Sequence, residues 1–174
     1  MSKWDWLVVI VGFSLLLLGI VLLNSDQMSQ FIPFLYVPLE GEVVRVIDGD
    51  TFEMILNGSK TTVRYIGIDT PETVDPHRPA GCFGHQASVK NQEMLLHHQV
   101  TLKKDISDTD KFGRLLRYVY LLRPHEEPLF MNNYLVSEGY ARVLSVPPDS
   151  LYQEQFLSSQ QQAQQLKKGL WASC

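Results

Sequence analysis

The 174-residue sequence contains few cysteines and no excess of basic residues. Its two cysteines, Cys82 and Cys174, are too few for a cysteine-ligated metal cluster or a disulfide framework, and they could form one bridge or none. Lysine and arginine number 15 against 19 aspartates and glutamates, which gives a net charge of −4. Proteins that grip nucleic acid through its phosphates usually carry a basic balance, so the composition argues against tight, non-specific coating of DNA. It does not exclude catalysis, because an enzyme needs positive charge only inside its cleft.

One long hydrophobic run covers residues 7–23 and contains no charged residue. Its length approaches the ~30 Å of a bilayer core, and Trp4 and Trp6 precede it, where an interfacial aromatic belt is expected. The run therefore favours a single transmembrane anchor. A cleaved signal peptide is the alternative, but the run is long for a signal core and no A-x-A-like cleavage site follows it.

The anchor divides the chain into a tail of residues 1–6, a linker over 24–40 and a domain over 41–174. Lys3 is the basic residue before the run, and the next basic residue is Arg45. The positive-inside rule then predicts that the domain lies outside the cytoplasm, tethered to the membrane through residues 7–23. Secretion after signal cleavage and an organelle membrane are the alternatives.

The domain shows alternating strand and helix patterns in a recognisable order. Strands are predicted over 41–48, 51–56, 61–68, 100–105 and 114–122. Helices are predicted over 84–98, 131–138 and about 150–167, and Asp149 is predicted to cap the last one. Asn57-Gly58 is the strongest hairpin signal in the chain. Five strands with a helix between the third and fourth predict an α+β domain built on an OB-fold five-stranded barrel with about three helices.

Two aspartates near strand ends predict a cation site. Asp50 lies in the segment Asp-Gly-Asp-Thr between the first two strands, and Asp69 follows the third strand. Carboxylates brought close repel each other unless a cation lies between them. Oxygen ligands select a hard cation, calcium before magnesium in an irregular site, and the absence of His and Cys from these motifs disfavours zinc. Taken alone, the Asp-Gly-Asp-Thr segment is more often a turn with a capping aspartate.

Arg64, Arg114 and Glu72 predict the chemistry around that cation. Arg64 interrupts an apolar strand and Arg114 opens the fifth strand, and guanidinium groups fork onto phosphate oxygens and stabilise developing charge. Glu72 follows Pro71, which fixes the backbone, and a glutamate beside a metal-held phosphate can act as a general base toward water. Each residue alone is more often a salt-bridge partner or a solvated charge.

Taken together, the strings VIDGDTF, VRYIGIDTPET, DKFGRLLRYVY, LVSEGYARV and GLW resemble the staphylococcal nuclease (thermonuclease) family over residues 41–171. The resemblance implies that a calcium ion is held by the carboxylates of Asp50 and Asp69 and the backbone oxygen of Thr70. It also implies that Glu72 is the general base and that Arg64 and Arg114 bind the phosphate and stabilise the transition state.

The substrate implied by the resemblance is DNA and/or RNA. Cleavage is expected at the 5′ P–O bond, which leaves 3′-phosphate ends. The protein is expected to be a monomer. Lys111 and Phe112 match the lysine and tyrosine beside the ligand's terminal phosphate, although Phe112 lacks the hydroxyl. In the protein that gives the family its name, tyrosines in this stretch line the pocket for the nucleotide base, whereas this sequence has Ser145 and Pro147 there. Relatives of this type often pair a cysteine in a C-[FY]-G string with one just after GLW, which corresponds here to Cys82 and the C-terminal cysteine.

A catalytically inactive OB-fold module that binds nucleic acid or protein is the alternative function. Degenerate family copies lose the aspartates, the glutamate or the arginines, whereas all six site positions are filled here by the matching residue type. The sequence therefore favours an active calcium-dependent nuclease.

Overall fold

The computed structural model describes residues 38–73 and 81–174. The tail over residues 1–6, the transmembrane anchor over 7–23 and most of the linker over 24–40 are predictions that lie outside these ranges, as do residues 74–80. None of the helices in the described ranges has the length and hydrophobicity that a membrane span requires.

The described residues form eight strands. Their bounds are β1 Leu39–Val46, β2 Thr51–Leu56, β3 Ser59–Tyr65, β4 Ile68–Asp69, β5 Gln99–Lys103, β6 Leu115–Leu121, β7 Leu129–Phe130 and β8 Arg142–Val143. β1 begins before Gly41, where the prediction started the domain, and the third predicted strand divides into β3 and the short β4. The other predicted strands lie within a few residues of their observed bounds.

Five of these strands close into a barrel. The order is β3-β2-β1-β5-β6, and β6 pairs back onto β3. That closing pair is parallel, with Val63 opposite Leu115 and Arg64 opposite Leu116, whereas the other barrel pairs are antiparallel. Closure removes the open sheet edges that promote aggregation. The predicted five-stranded OB-type barrel is thereby confirmed.

The barrel follows from alternation of buried side chains along each strand. Phe52 and Met54 of β2, Val63 of β3 and Val100 of β5 are fully buried and point into one core. The β2–β3 hairpin turns at Asn57-Gly58, whose φ angles of 50° and 77° are the left-handed values that a tight hairpin needs. Local turn chemistry thus sets the register in which Leu56 faces Ser59.

Four helices accompany the barrel in the described ranges. They are α1 Gly84–Leu95, α2 Met131–Ser137, α3 Gln153–Gln165 and the short α4 Leu170–Ser173. The three predicted helices are present, and α4 is an addition. The predicted cap by Asp149 is wrong: α3 starts after Tyr152 without a side-chain cap. The Asp149 carboxylate instead accepts hydrogen bonds from the backbone N–H groups of Ile106 and Ser107, at 3.0 and 2.8 Å.

The C-terminus is fixed against the domain by a close backbone contact. Gly139 and Gly169 approach so tightly that a Cβ on Gly139 would lie 2.3 Å from the carbonyl oxygen of Lys168. Leu170 is 1% exposed, and its N–H donates to the Gly139 carbonyl at 2.9 Å. A disulfide also joins Cys174 to Cys82. The pairing implied by the family resemblance is therefore present.

Candidate active site

Asp50 occupies the centre of the site and is almost completely buried, at 1% exposure. Its Oδ2 accepts hydrogen bonds from the Thr70 backbone N–H at 2.8 Å and from the Thr70 hydroxyl at 3.2 Å. Its Oδ1 accepts from the Thr51 hydroxyl at 3.1 Å and from the Arg64 guanidinium. The fold therefore fixes the orientation of this carboxylate completely.

The loop before Asp50 allows this close packing. Asp48 accepts a hydrogen bond from the Asp50 N–H at 3.0 Å, which holds the turn. A Cβ on Gly49 would lie 2.7 Å from the Thr70 hydroxyl, so only glycine fits there. Asn91, fully buried on α1, donates to the Asp48 carbonyl at 3.1 Å and accepts from the Tyr65 hydroxyl at 2.9 Å.

Arg64 bridges the two predicted metal ligands. One guanidinium nitrogen contacts Asp50, and the other donates to Asp69 Oδ1 at 2.8 Å. Both carboxylates therefore lie beside the same guanidinium group, and their use as metal ligands stays a prediction. Burial raises the pKa of Asp50 to about 7, and the positive charge of Arg64 opposes that rise.

A small cavity of about 20 Å³ adjoins these groups. The residues lining it are Asp48, Asp50, Arg64, Asp69, Thr70, Pro71 and Glu72. A space of this size accommodates one water-sized occupant. Carboxylate oxygens are the donor type that a hard cation such as calcium prefers, but the Arg64 guanidinium lines the same cavity.

The donor set is nevertheless sparse. Across residues 38–73 and 81–174, no three His, Cys, Asp or Glu side chains converge as a metal cluster. A cation held between Asp50 and Asp69 would therefore draw further ligands from backbone oxygen or water, as calcium and magnesium commonly do. The predicted use of the Thr70 carbonyl remains a prediction.

Glu72 and Arg114 line a second, larger groove of about 540 Å³ together with Arg64. Arg114 is held by Asp110, which accepts from its side-chain Nε at 2.6 Å and from its backbone N–H at 3.0 Å. The Glu72 carboxylate accepts a hydrogen bond from the Thr73 N–H at 3.1 Å. The three residues predicted as catalytic thus share one groove, next to the carboxylate pair.

The predicted substrate residues Lys111 and Phe112 lie at the edge of this groove. Phe112 lines the groove and is 71% exposed. The Lys111 ammonium and the Arg114 guanidinium lie 5.0 and 5.4 Å from its ring centre. An exposed aromatic ring close to two positively charged side chains suits contact with a base or sugar and the neighbouring phosphate.

Aliphatic side chains also line the groove. Pro147 lines it together with Leu144 and Val146, which are 45% and 58% exposed. Ser145 does not line it, because the Ser145 hydroxyl donates to Gln153 at 2.9 Å. Sequence reasoning singled out Ser145 and Pro147 but missed Leu144 and Val146, whose alternation along the chain was the available signal.

Several residues that shape the site carried no distinctive sequence signal. Asp48 and Asp110 belong to the motifs, but their roles in holding Asp50 and Arg114 depend on folded loop geometry. Asn91 lies on an amphipathic helix, where a polar residue suggests exposure rather than burial. Such buried polar residues become visible only through their hydrogen-bond partners.

Residues 62–173 match the family model for staphylococcal nuclease homologues. The chain is 35% identical to a thermonuclease of Staphylococcus hyicus over 168 residues, which cover 93% of this chain and 96% of the relative. It is 36% identical to a thermonuclease of Staphylococcus intermedius over 165 residues, covering 92% and 95% of the two chains.

A third relative is the endonuclease YncB of Bacillus subtilis (strain 168). Identity is 40% over 130 residues, which cover 74% of this chain and 59% of that protein. The range matched by the family model contains Arg64, Asp69, Glu72 and Arg114, whereas Asp50 precedes it.

Proposed function

Because the chain belongs to the family of staphylococcal nuclease homologues, we propose that it is a calcium-dependent nuclease that hydrolyses phosphodiester bonds of DNA or RNA. The observation that carries this proposal is the convergence of Arg64, Glu72 and Arg114 on one groove beside the Asp50–Asp69 pair. An inactive binding module would have no need for two arginines that are held by carboxylates in the same groove as a glutamate.

In the proposed reaction, the groove binds the scissile phosphate between Arg64 and Arg114. Their guanidinium groups donate to its oxygens and stabilise the charge that develops as water attacks phosphorus. Glu72 accepts the proton from that water as the 5′ P–O bond breaks, which leaves a 3′-phosphate, and the departing 5′ oxygen takes up a proton from solvent. Calcium, when held by Asp50, Asp69 and Thr70, supplies further positive charge at the phosphate.

The arrangement of Asp110 prepares Arg114 for this role. Its carboxylate holds the guanidinium by Nε, which leaves the two terminal nitrogens as the fork for phosphate. Arg64 contacts Asp50 and Asp69 through its own two terminal nitrogens. We therefore propose that a bound phosphate either replaces one of these carboxylates as the partner of Arg64 or accepts a hydrogen bond from Arg64 alongside them.

The metal assignment is tested by cleavage of single-stranded DNA with calcium, with excess EGTA, and with EGTA followed by calcium. We expect activity that the chelator abolishes and added calcium restores. Equal cleavage in calcium and in excess EGTA would overturn the assignment.

The base assignment is tested with Glu72→Gln, which retains size but cannot accept the proton. We expect turnover to fall at least about 100-fold, the scale of general-base catalysis, with the fold intact. Glu154→Gln, at an exposed position on α3, is the matched control and should cleave like the parent protein. Full activity in Glu72→Gln would show that this carboxylate is not the base.

We further propose that the nuclease domain is tethered to a membrane through residues 7–23 and lies outside the cytoplasm. The charge-free run and the position of Lys3 support this placement. Protease added to intact cells should digest an epitope tag at the C-terminus. Protection of the tag until the membrane is permeabilised would contradict the proposed orientation.

A further inference from the structure

The Cys82–Cys174 disulfide connects the segment before α1 with the end of α4, across a sequence separation of 92 residues. Neither cysteine takes part in the reaction proposed above. The bridge nevertheless lies close to it in the fold, because residues 81–84 pack against the backbone of Pro71 and Glu72.

The contact between these two segments is tight. The Gly81 N–H donates to the Glu72 carbonyl at 2.7 Å. A Cβ on Gly81 would lie 2.8 Å from the Pro71 Cβ, and one on Gly84 would lie 3.0 Å from the Glu72 carbonyl oxygen. Only glycines allow this approach, so a displacement of Cys82 would be transmitted directly to Glu72.

The other end of the bridge is anchored firmly. Cys174 donates its N–H to the carbonyl of Leu170 at 3.0 Å, and Leu170 is 1% exposed in contact with Gly139. The disulfide therefore ties residues 81–84 to a part of the domain that cannot move without disturbing buried structure.

Glu72 has a second constraint on its N-terminal side. Thr70 is fixed by its two hydrogen bonds to Asp50, and Pro71 has a restricted φ. On the C-terminal side, the Glu72 carbonyl accepts a hydrogen bond from the Gly81 N–H and lies close to Gly84. The backbone of Glu72 is thus held between the carboxylate centre and the disulfide-linked segment.

We propose that the Cys82–Cys174 disulfide is a positioning device for Glu72, so that its reduction lowers turnover while substrate binding and the fold persist. The inference rests on the proposed function, in which Glu72 accepts a proton from water. A shift of about 1 Å in a reacting group is enough to lower a rate substantially. The bridge makes the enzyme sensitive to the redox state of its surroundings.

The first test compares kcat and KM for single-stranded DNA in the full chain, with and without the non-chelating reductant TCEP. The Cys82→Ser/Cys174→Ser variant is measured alongside, at a temperature well below the melting point of each form. We expect reduction and the double substitution each to lower kcat about tenfold or more and to change KM less than about twofold. TCEP should not affect the double variant. Unchanged kcat, or a loss confined to KM, would overturn the proposal.

A double-mutant cycle separates positioning from general loosening. If the bridge acts through Glu72, the cysteine substitutions should cause no further loss of kcat in a Glu72→Gln background. An equal loss in both backgrounds would overturn the inference and leave the proposed function standing. Full activity of Glu72→Gln itself would overturn both.

A structural readout completes the test. Hydrogen exchange of the Gly81 N–H should become faster on reduction, whereas exchange in β2 should not change. Lys168→Ala removes the 2.7 Å ion pair with Glu138 near α4 without touching the bridge. This control should retain the parent kcat and the slow exchange at Gly81. Unaltered exchange at Gly81 after reduction would refute the mechanical link.

Discussion

Asn132 offers a sharp test of how the fold supports the site. It is fully buried on α2, and its side-chain amide joins two backbone groups of different segments. Its Oδ1 accepts from the Val119 N–H in β6, and its Nδ2 donates to the Ile66 carbonyl, both at 2.9 Å. Ile66 lies between Arg64 and Asp69, so this amide fixes the turn that separates two site residues.

Replacing Asn132 with Ala would leave the Val119 N–H and the Ile66 carbonyl buried without these partners. Each unsatisfied buried group costs about 1–3 kcal/mol, so the expected loss in the free energy of unfolding is about 2–6 kcal/mol. Domains of this size are stable by only about 5–15 kcal/mol. The substitution should therefore be among the most damaging single changes outside the apolar core.

Equilibrium unfolding in urea, followed by tryptophan fluorescence, measures this loss. The matched control is Asn133→Ala on the same helix, which removes one partly buried hydrogen bond to Ser159. The control should lose only about 0.5–1.5 kcal/mol. If Asn132→Ala lost no more than Asn133→Ala, the attribution of stability to the two buried backbone groups would be refuted.

Three further predictions concern the disulfide, the stability of the protein at low pH and the contact of Phe112 with substrate. Reduction of Cys82–Cys174 should lower the free energy of unfolding by about 2–5 kcal/mol, measured in urea with and without TCEP; equal midpoints would contradict this. Burial raises the pKa of Asp110, but hydrogen bonds from Arg114 and Phe112 lower it more, to a net value below the ordinary 3.8. The ionised Asp110 therefore stabilises the fold fully above the unfolded pKa of 3.8, and this contribution is lost as pH falls through the lower folded pKa. In Asp110→Asn, the free energy of unfolding should consequently fall less steeply below about pH 4 than in the parent protein; parallel pH profiles would refute this. Phe112→Ala should raise KM for single-stranded DNA at least about fivefold, since stacking is worth about 1 kcal/mol or more per base; an unchanged KM would argue against contact.

Features of the fold encoded by neighbouring residues were predictable from the sequence. The Asn57-Gly58 turn, the alternation in β2 and the amphipathic pattern of α1 each depend on side chains close together in the chain. Family motifs then indicated how these elements assemble, including the barrel and the cysteine pair. The motifs also carry the residues predicted for the site, which is why sequence reasoning could name residues that line the two cavities.

Features decided by distant partners were not predictable. Asp149 follows the local pattern of a helix cap, but its carboxylate accepts hydrogen bonds from the backbone N–H groups of Ile106 and Ser107 instead of from the start of α3. Asn91 and Asn132 look like surface residues until the groups they satisfy are known. In each case a buried polar partner lies more than ten residues away, where sequence periodicity gives no information.

The parallel pairing of β3 with β6 places Arg64 opposite Leu116, two residues beyond Arg114. The two arginines therefore become neighbours only when the β3–β6 seam of the barrel closes, because about fifty residues separate them along the chain. An unclosed chain holds one arginine on a hairpin and the other on a loose segment, with no groove between them. Acquisition of the groove and completion of the fold are consequently one event, and a folding intermediate that lacks the seam would also lack any place to grip a phosphate.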